Sequence, residues 1–138
     1  MRKFSVVFNF VLWLPLLLHG QYSLHGNFPG LAGKVIKLEG YRGTDPYLIS
    51  ETKADASGKF SLSWSEQQFG RGFLLSEDNK SFFVILCEED MVLEGNNFTN
   101  SSEVSIQKGI QNQLAARYIS EHGRREQALA AWAYLEEI

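Results

Sequence analysis

The sequence has one cysteine, Cys87, three prolines and two methionines among its 138 residues. A lone cysteine excludes a disulfide framework, so any fold must rest on its hydrophobic core. Nitrogen and sulfur ligands are as scarce. His25 and His122 are the histidines beyond residue 20, and a zinc site ordinarily takes three or four such ligands. Both read as surface residues. No Cys-x-x-Cys, Gly-x-Ser-x-Gly or His-Glu-x-x-His occurs. Gly70-Arg71-Gly72 begins like a nucleotide-binding loop, but Leu75 stands where the third glycine belongs. No residue qualifies as catalytic, cofactor-binding or metal-ligating, and no cofactor is expected.

The long apolar run lies at the start. Arg2 and Lys3 precede Phe4 to Leu18, which is broken by Ser5, Asn9 and Pro15, and Gly20 precedes Gln21. This is the layout of a secretory signal peptide at residues 1–20, cleaved between Gly20 and Gln21. As a membrane anchor the run is short, because a span needs about 20 apolar residues. No cysteine near the junction points to a lipoprotein. The expectation is export to the periplasm or cell envelope, with no membrane attachment after cleavage.

All sixteen acids lie beyond Gly20, against eleven of the thirteen basic residues, which leaves a net charge of −5. That disfavours nucleic acid and anionic lipid as partners. The remaining 118 residues suffice for one compact core.

Residues 21–108 read as short strands separated by turn chemistry. Tyr22, Leu24 and Phe28 alternate with Ser23, His25 and Asn27. Gly26 takes an inward place, where a glycine often marks a bulge. Ile36 and Leu38 oppose Lys37 and Glu39; Tyr41 to Pro46 reads as a loop, and Tyr47 to Ala54 as an edge strand. Asp55-Ala56-Ser57-Gly58 is a tight turn without the alternating oxygens of a calcium loop. Lys59 to Trp64 shows the clearest alternation. Gly70 to Ser76 follows, with Phe73 and Leu75 inward. Lys80 to Cys87 is apolar on consecutive residues, as in a strand covered on both faces. Cys87 there reads as a small buried hydrophobe, and the next residues, Glu88, Glu89 and Asp90, oppose thiolate formation. Those three acids read as a solvated hairpin tip. Met91 to Glu94 is a short strand, Gly95 to Ser102 a polar loop, and Val104 and Ile106 mark the last strand. Phe60, Leu62, Trp64, Phe73, Phe83 and Ile85 are the expected core. The spacing predicts an antiparallel β-sandwich or small barrel.

From Ile110 the apolar period becomes helical, through Leu114, Tyr118 and Ile119. Gly123 is expected to end one helix, with Arg124 opening a second that carries Leu129, Trp132, Ala133 and Leu135. Residues 109–138 thus form a helical segment whose apolar stripe needs a partner surface, consistent with a domain further downstream. Asn79, Asn97 and Asn100 begin glycosylation sequons, a pattern frequent by chance in polar loops.

Five segments occur in order: Tyr22-Ser-Leu-His-Gly26, Val35-Ile-Lys-Leu38, Asp55-Ala-Ser-Gly-Lys-Phe60, Met91-Val-Leu-Glu-Gly95, and Val104-Ser-Ile-Gln-Lys-Gly109 with Asn112. The series resembles the strand-rich N-terminal domain, of unassigned function, that precedes the thioredoxin fold in many secreted bacterial thiol–disulfide oxidoreductases of the alkyl hydroperoxide reductase/thiol-specific antioxidant group. The resemblance covers nearly the whole chain beyond residue 20. It implies a non-catalytic accessory domain that positions a downstream redox domain or binds a protein partner. The redox cysteines of that group have no counterpart here, so its activity attaches to no residue of this chain. Thr52-x-x-Asp55-x-x-Gly58-x-Phe60 also resembles the carboxypeptidase-regulatory type of sandwich, which implies the alternative of a free-standing binding or structural module.

Overall fold

The computed structural model describes residues 20–136. The expected signal peptide lies almost wholly outside the described residues. Eight strands and one helix follow in order: β1 (Gln21–Asn27), β2 (Val35–Arg42), β3 (Asp45–Lys53), β4 (Lys59–Ser65), β5 (Gly70–Ser76), β6 (Ser81–Leu86), β7 (Met91–Glu94), β8 (Ser105–Lys108) and α1 (Ile110–Glu136). They form two four-stranded sheets, β4-β1-β7-β8 and β3-β2-β5-β6. The chain is a β-sandwich followed by a helix; no barrel closes.

Alternation builds the core from both sheets. Leu24, Leu62, Trp64 and Leu93 point inward from one sheet, and Ile36, Leu38, Leu74 and Val84 from the other, each at 2 % exposure or less. Phe28 joins them and is edged by Phe98 at 5.0 Å between ring centroids. Phe98 comes from the segment read as a polar loop, yet it is 3 % exposed. Asp55 organises the turn between β3 and β4: its Oδ1 accepts from the backbone N–H groups of Ser57 and Lys59, both at 2.9 Å. Gly58 closes that turn at φ +85°, a conformation glycine adopts without strain.

Several expectations are corrected. Phe73, Phe83 and Ile85 are not core residues: Phe83 is exposed, and Phe73 and Ile85 are half-buried. Leu74 rather than Leu75 faces inward. The apolar runs of β5 and β6 fit either parity, and pairing decides between them. Leu38 lies opposite Leu74, and Leu74 opposite Phe82. Directly paired residues share a face, so the inward Leu38 sets all three. The outer face of β6 is consequently not covered along its length.

Residues 41–46 are mostly strand, not loop: β2 runs on to Arg42, which pairs with Asp45 across a turn holding Gly43 at φ +65°. β1 pairs with β4 without a register shift, so Gly26 marks no bulge. The sheets are not wholly antiparallel, because β7 lies parallel to β1. Glu88 to Asp90 is therefore not a hairpin tip; it carries the chain from one sheet to the other. Finally, α1 is one helix of 27 residues that passes through Gly123. One glycine costs about 1 kcal/mol in a helix interior, too little to break a segment rich in Ala, Gln, Arg and Glu.

Candidate functional site

The junction between the sandwich and α1 gathers Glu89, Asn112 and Gln113 into one structure. Gly109, at φ +124°, turns the chain from β8 into the helix. Glu89, in the crossing between β6 and β7, caps the first turn. Its Oε1 accepts from the N–H of Ile110 at 2.8 Å and its Oε2 from that of Gln111 at 3.1 Å. A carboxylate there satisfies orphan donors and meets the positive end of the helix dipole.

Asn112 is 4 % exposed. Its Oδ1 accepts from the N–H of Ile85 at 2.7 Å, and its Nδ2 donates to the carbonyl of Ile85 at 3.0 Å. β6 is an edge strand, so one side-chain amide supplies the pairing that a neighbouring strand would have given. Gln113 adds a bond from Nε2 to the carbonyl of Ile106 at 2.9 Å. The root of α1 is thereby tied to β6, to the β6–β7 crossing and to β8.

Among the described residues, nothing partners the helix beyond its root. Tyr118, Ile119, Leu129, Trp132, Tyr134 and Leu135 are each 60–69 % exposed. At 1.5 Å per residue, α1 reaches about 40 Å. Among the described residues no helix is apolar enough to cross a membrane.

Beside the root lies a shallow depression of about 470 Å³ lined by Phe69, Ile85, Leu86, Cys87, Glu88, Glu89 and Gln111. Cys87 is half-buried there rather than fully buried. Burial, then the charge of Glu89 and its bond to the thiol, then the charge of Glu88, push the thiol pKa up. The protonated thiol is favoured, contrary to what a nucleophile requires. The carbonyl of Cys87 accepts from Trp64 Nε1 at 3.1 Å, which ties this corner to the core.

The other residues singled out in the sequence are dispersed. His25 is exposed on β1, 3.3 Å from the Ser23 hydroxyl. His122 lies on α1, 3.0 Å from Glu126. Among the described residues no three His, Cys, Asp or Glu side chains gather in a metal-binding group. Gly70-Arg71-Gly72 lies within β5, where Gly72 packs against Leu86 and Arg71 reaches the carbonyl of Gly43 at 3.3 Å. Asn97 and Asn100 bend their own loops, accepting from the N–H groups of Thr99 and Ser102 at 2.9 and 3.2 Å. Asn79 holds φ +60° in the β5–β6 turn.

The sequence reading missed the roles of Asn112 and Glu89. An Asn three residues after Gly109 was the available signal, and it entered only through the family resemblance. The outer aromatic row was missed as well: Tyr41, Phe73 and Phe83 contact edge to face, with centroids 5.5 Å apart at each step. No family model matches the chain, and no curated protein or solved structure is found to be similar to it.

Proposed function

We propose that this chain is a non-catalytic, exported accessory module that presents α1 from a β-sandwich to a protein partner, or positions a redox domain through it. The observation that carries the reading is the contrast along α1. Four hydrogen bonds from Glu89 and Asn112 fix its root, while its distal apolar side chains face solvent. A fixed root sets the direction of the helix; an exposed apolar face leaves it ready to bury against something else. The ordered segments from Tyr22 to Asn112 support the thioredoxin-linked form of this reading, and the basic start with its apolar run supports export.

The coding sequence beyond Ile138 tests the linked form. A thioredoxin-like domain with a Cys-x-x-Cys supports it, and a stop codon there leaves the free-standing binding module. The purified chain is expected to show no thiol oxidation and no peroxide reduction. Turnover in either assay overturns the accessory role.

A further inference from the structure

The middle of the exposed face of α1 is its own complement when turned end for end. At 3.6 residues per turn, Ile110, Leu114, Tyr118, Ala128, Leu129, Trp132 and Leu135 fall within an arc of about 120°. Leu114 and Trp132 stand equally far from Gly123, on opposite sides; so do Tyr118 and Ala128, with Leu129 one step further. The same arc also holds Glu121 and Arg125, likewise equidistant from Gly123, and, toward its margins, Gln111, Arg117 and Glu136. Along the middle of the arc, from Leu114 through Glu121 and Arg125 to Trp132, the face reads apolar, acid, base, apolar.

We infer that α1 pairs with α1 of a second copy of this chain, antiparallel, with the two-fold axis level with residue 123, whose glycine lies on the opposite side of the helix from the contact. Leu114 then meets Trp132 of the second copy, Tyr118 meets Ala128 and Leu129, and Glu121 meets Arg125. Every contact occurs twice, as two-fold symmetry requires. Charge selects this arrangement. A parallel pair sets Glu121 against Glu121 and Arg125 against Arg125, and like charges in an interface are strongly disfavoured. The antiparallel pair turns both into attractions.

Glu121 and Arg125 are free to do this. His122 Nε2 and Glu126, 3.0 Å apart, lie outside the arc. Among the described residues nothing covers the face: Ile110, Leu114, Tyr118, Leu129, Trp132 and Leu135 are each more than half exposed. Pairing also supports the helix itself, since an unpacked helix in water is marginally stable. The rooting of α1 at its first turn places the two sandwiches at opposite ends of the pair. This inference rests on the reading of α1 as a helix presented to a protein partner, names that partner as a second copy, and needs no downstream redox domain.

The test uses the full chain, recovered as the producing cell processes it, in sedimentation at micromolar concentration. The expected species has twice the mass of the processed chain. Trp132→Glu is expected to give a monomer whose sandwich melts as before, since residue 132 lies far from the core. Glu121→Arg and Arg125→Glu are each expected to weaken association tenfold or more, and the double exchange to restore it. A monomer at all concentrations overturns the inference. So does a dimer indifferent to Trp132→Glu, or a double exchange as weak as the single ones.

Discussion

Phe60 lays its ring against the backbone of Gly26, its direct partner across the β1–β4 pair: a Cβ on Gly26 would stand 2.3–2.8 Å from three ring atoms. The glycine that resembles a bulge signal in the sequence is instead the floor of an aromatic contact. Its missing side chain lets Phe60 reach Phe28, 5.7 Å away between centroids.

Gly26→Ala should therefore destabilise the sandwich by about 1–3 kcal/mol, the usual cost of overpacking. Phe60→Leu in the same background should recover part of the loss. Urea melts measure both. A change within ~0.5 kcal/mol, typical of surface positions, would show that the ring moves aside freely.

Parity in β5 is open to a paired comparison. Leu74→Ala, like Leu62→Ala, should cost ~2–5 kcal/mol, because each residue is 2 % exposed or less. Leu75→Ala should cost roughly 1 kcal/mol or less, since that side chain lies half-buried on the outer face. Equal losses at 74 and 75 would contradict the Leu38–Leu74 pairing.

Asn112→Leu keeps the volume and removes both bonds to Ile85. Ile85 then presents an unpaired N–H and C=O at the sheet edge, a loss of about 1–3 kcal/mol. Hydrogen exchange at Ile85 and through the first turn of α1 should quicken, with the centre of β1 unaffected. Unchanged protection at Ile85 would mean that water or another group replaces the amide.

Cys87 should label slowly with thiol reagents at neutral pH, and Cys87→Ala should cost only modest stability. Its pKa is raised in the folded state, so the folded chain holds that proton more tightly. Any stability gained from this is present below the unfolded thiol pKa and is lost as pH rises through the folded value. Rapid labelling at pH 7 would place the thiol in a different environment.

Asp55 behaves in the opposite sense. Bonds from the Lys59 backbone and the Ser57 side chain, together with the Ser57 backbone and the charge of Lys59, outweigh desolvation and hold its carboxyl below the usual value. The stability this carboxylate adds is present above the unfolded pKa and is lost as pH falls through the folded one. The melting difference between the parent and Asp55→Ala should shrink as pH drops through the carboxylate range. A difference independent of pH would show that charge on Asp55 is irrelevant to the turn.

Local chemistry by itself determined most of the strands, Tyr41 to Pro46 apart, and where most of them turn. Lys59 to Trp64 alternates because one face must bury, and Asp55 to Gly58 turns because Asp bonds its own backbone and Gly accepts positive φ. Those causes act within a few residues and are visible in any window of the chain. Tertiary pairing decided what such a window cannot contain. The parity of Phe73 to Leu75 and of Phe82 to Ile85 was open until Leu38 stood opposite Leu74, because consecutive apolar residues satisfy either face. The parallel pairing of β7 with β1 and the burial of Phe98 depend on segments distant in sequence. So does the root of α1, where Asn112 completes a strand edge 27 residues behind it. A side-chain amide can stand in for a missing strand only once the fold has brought that edge beside it.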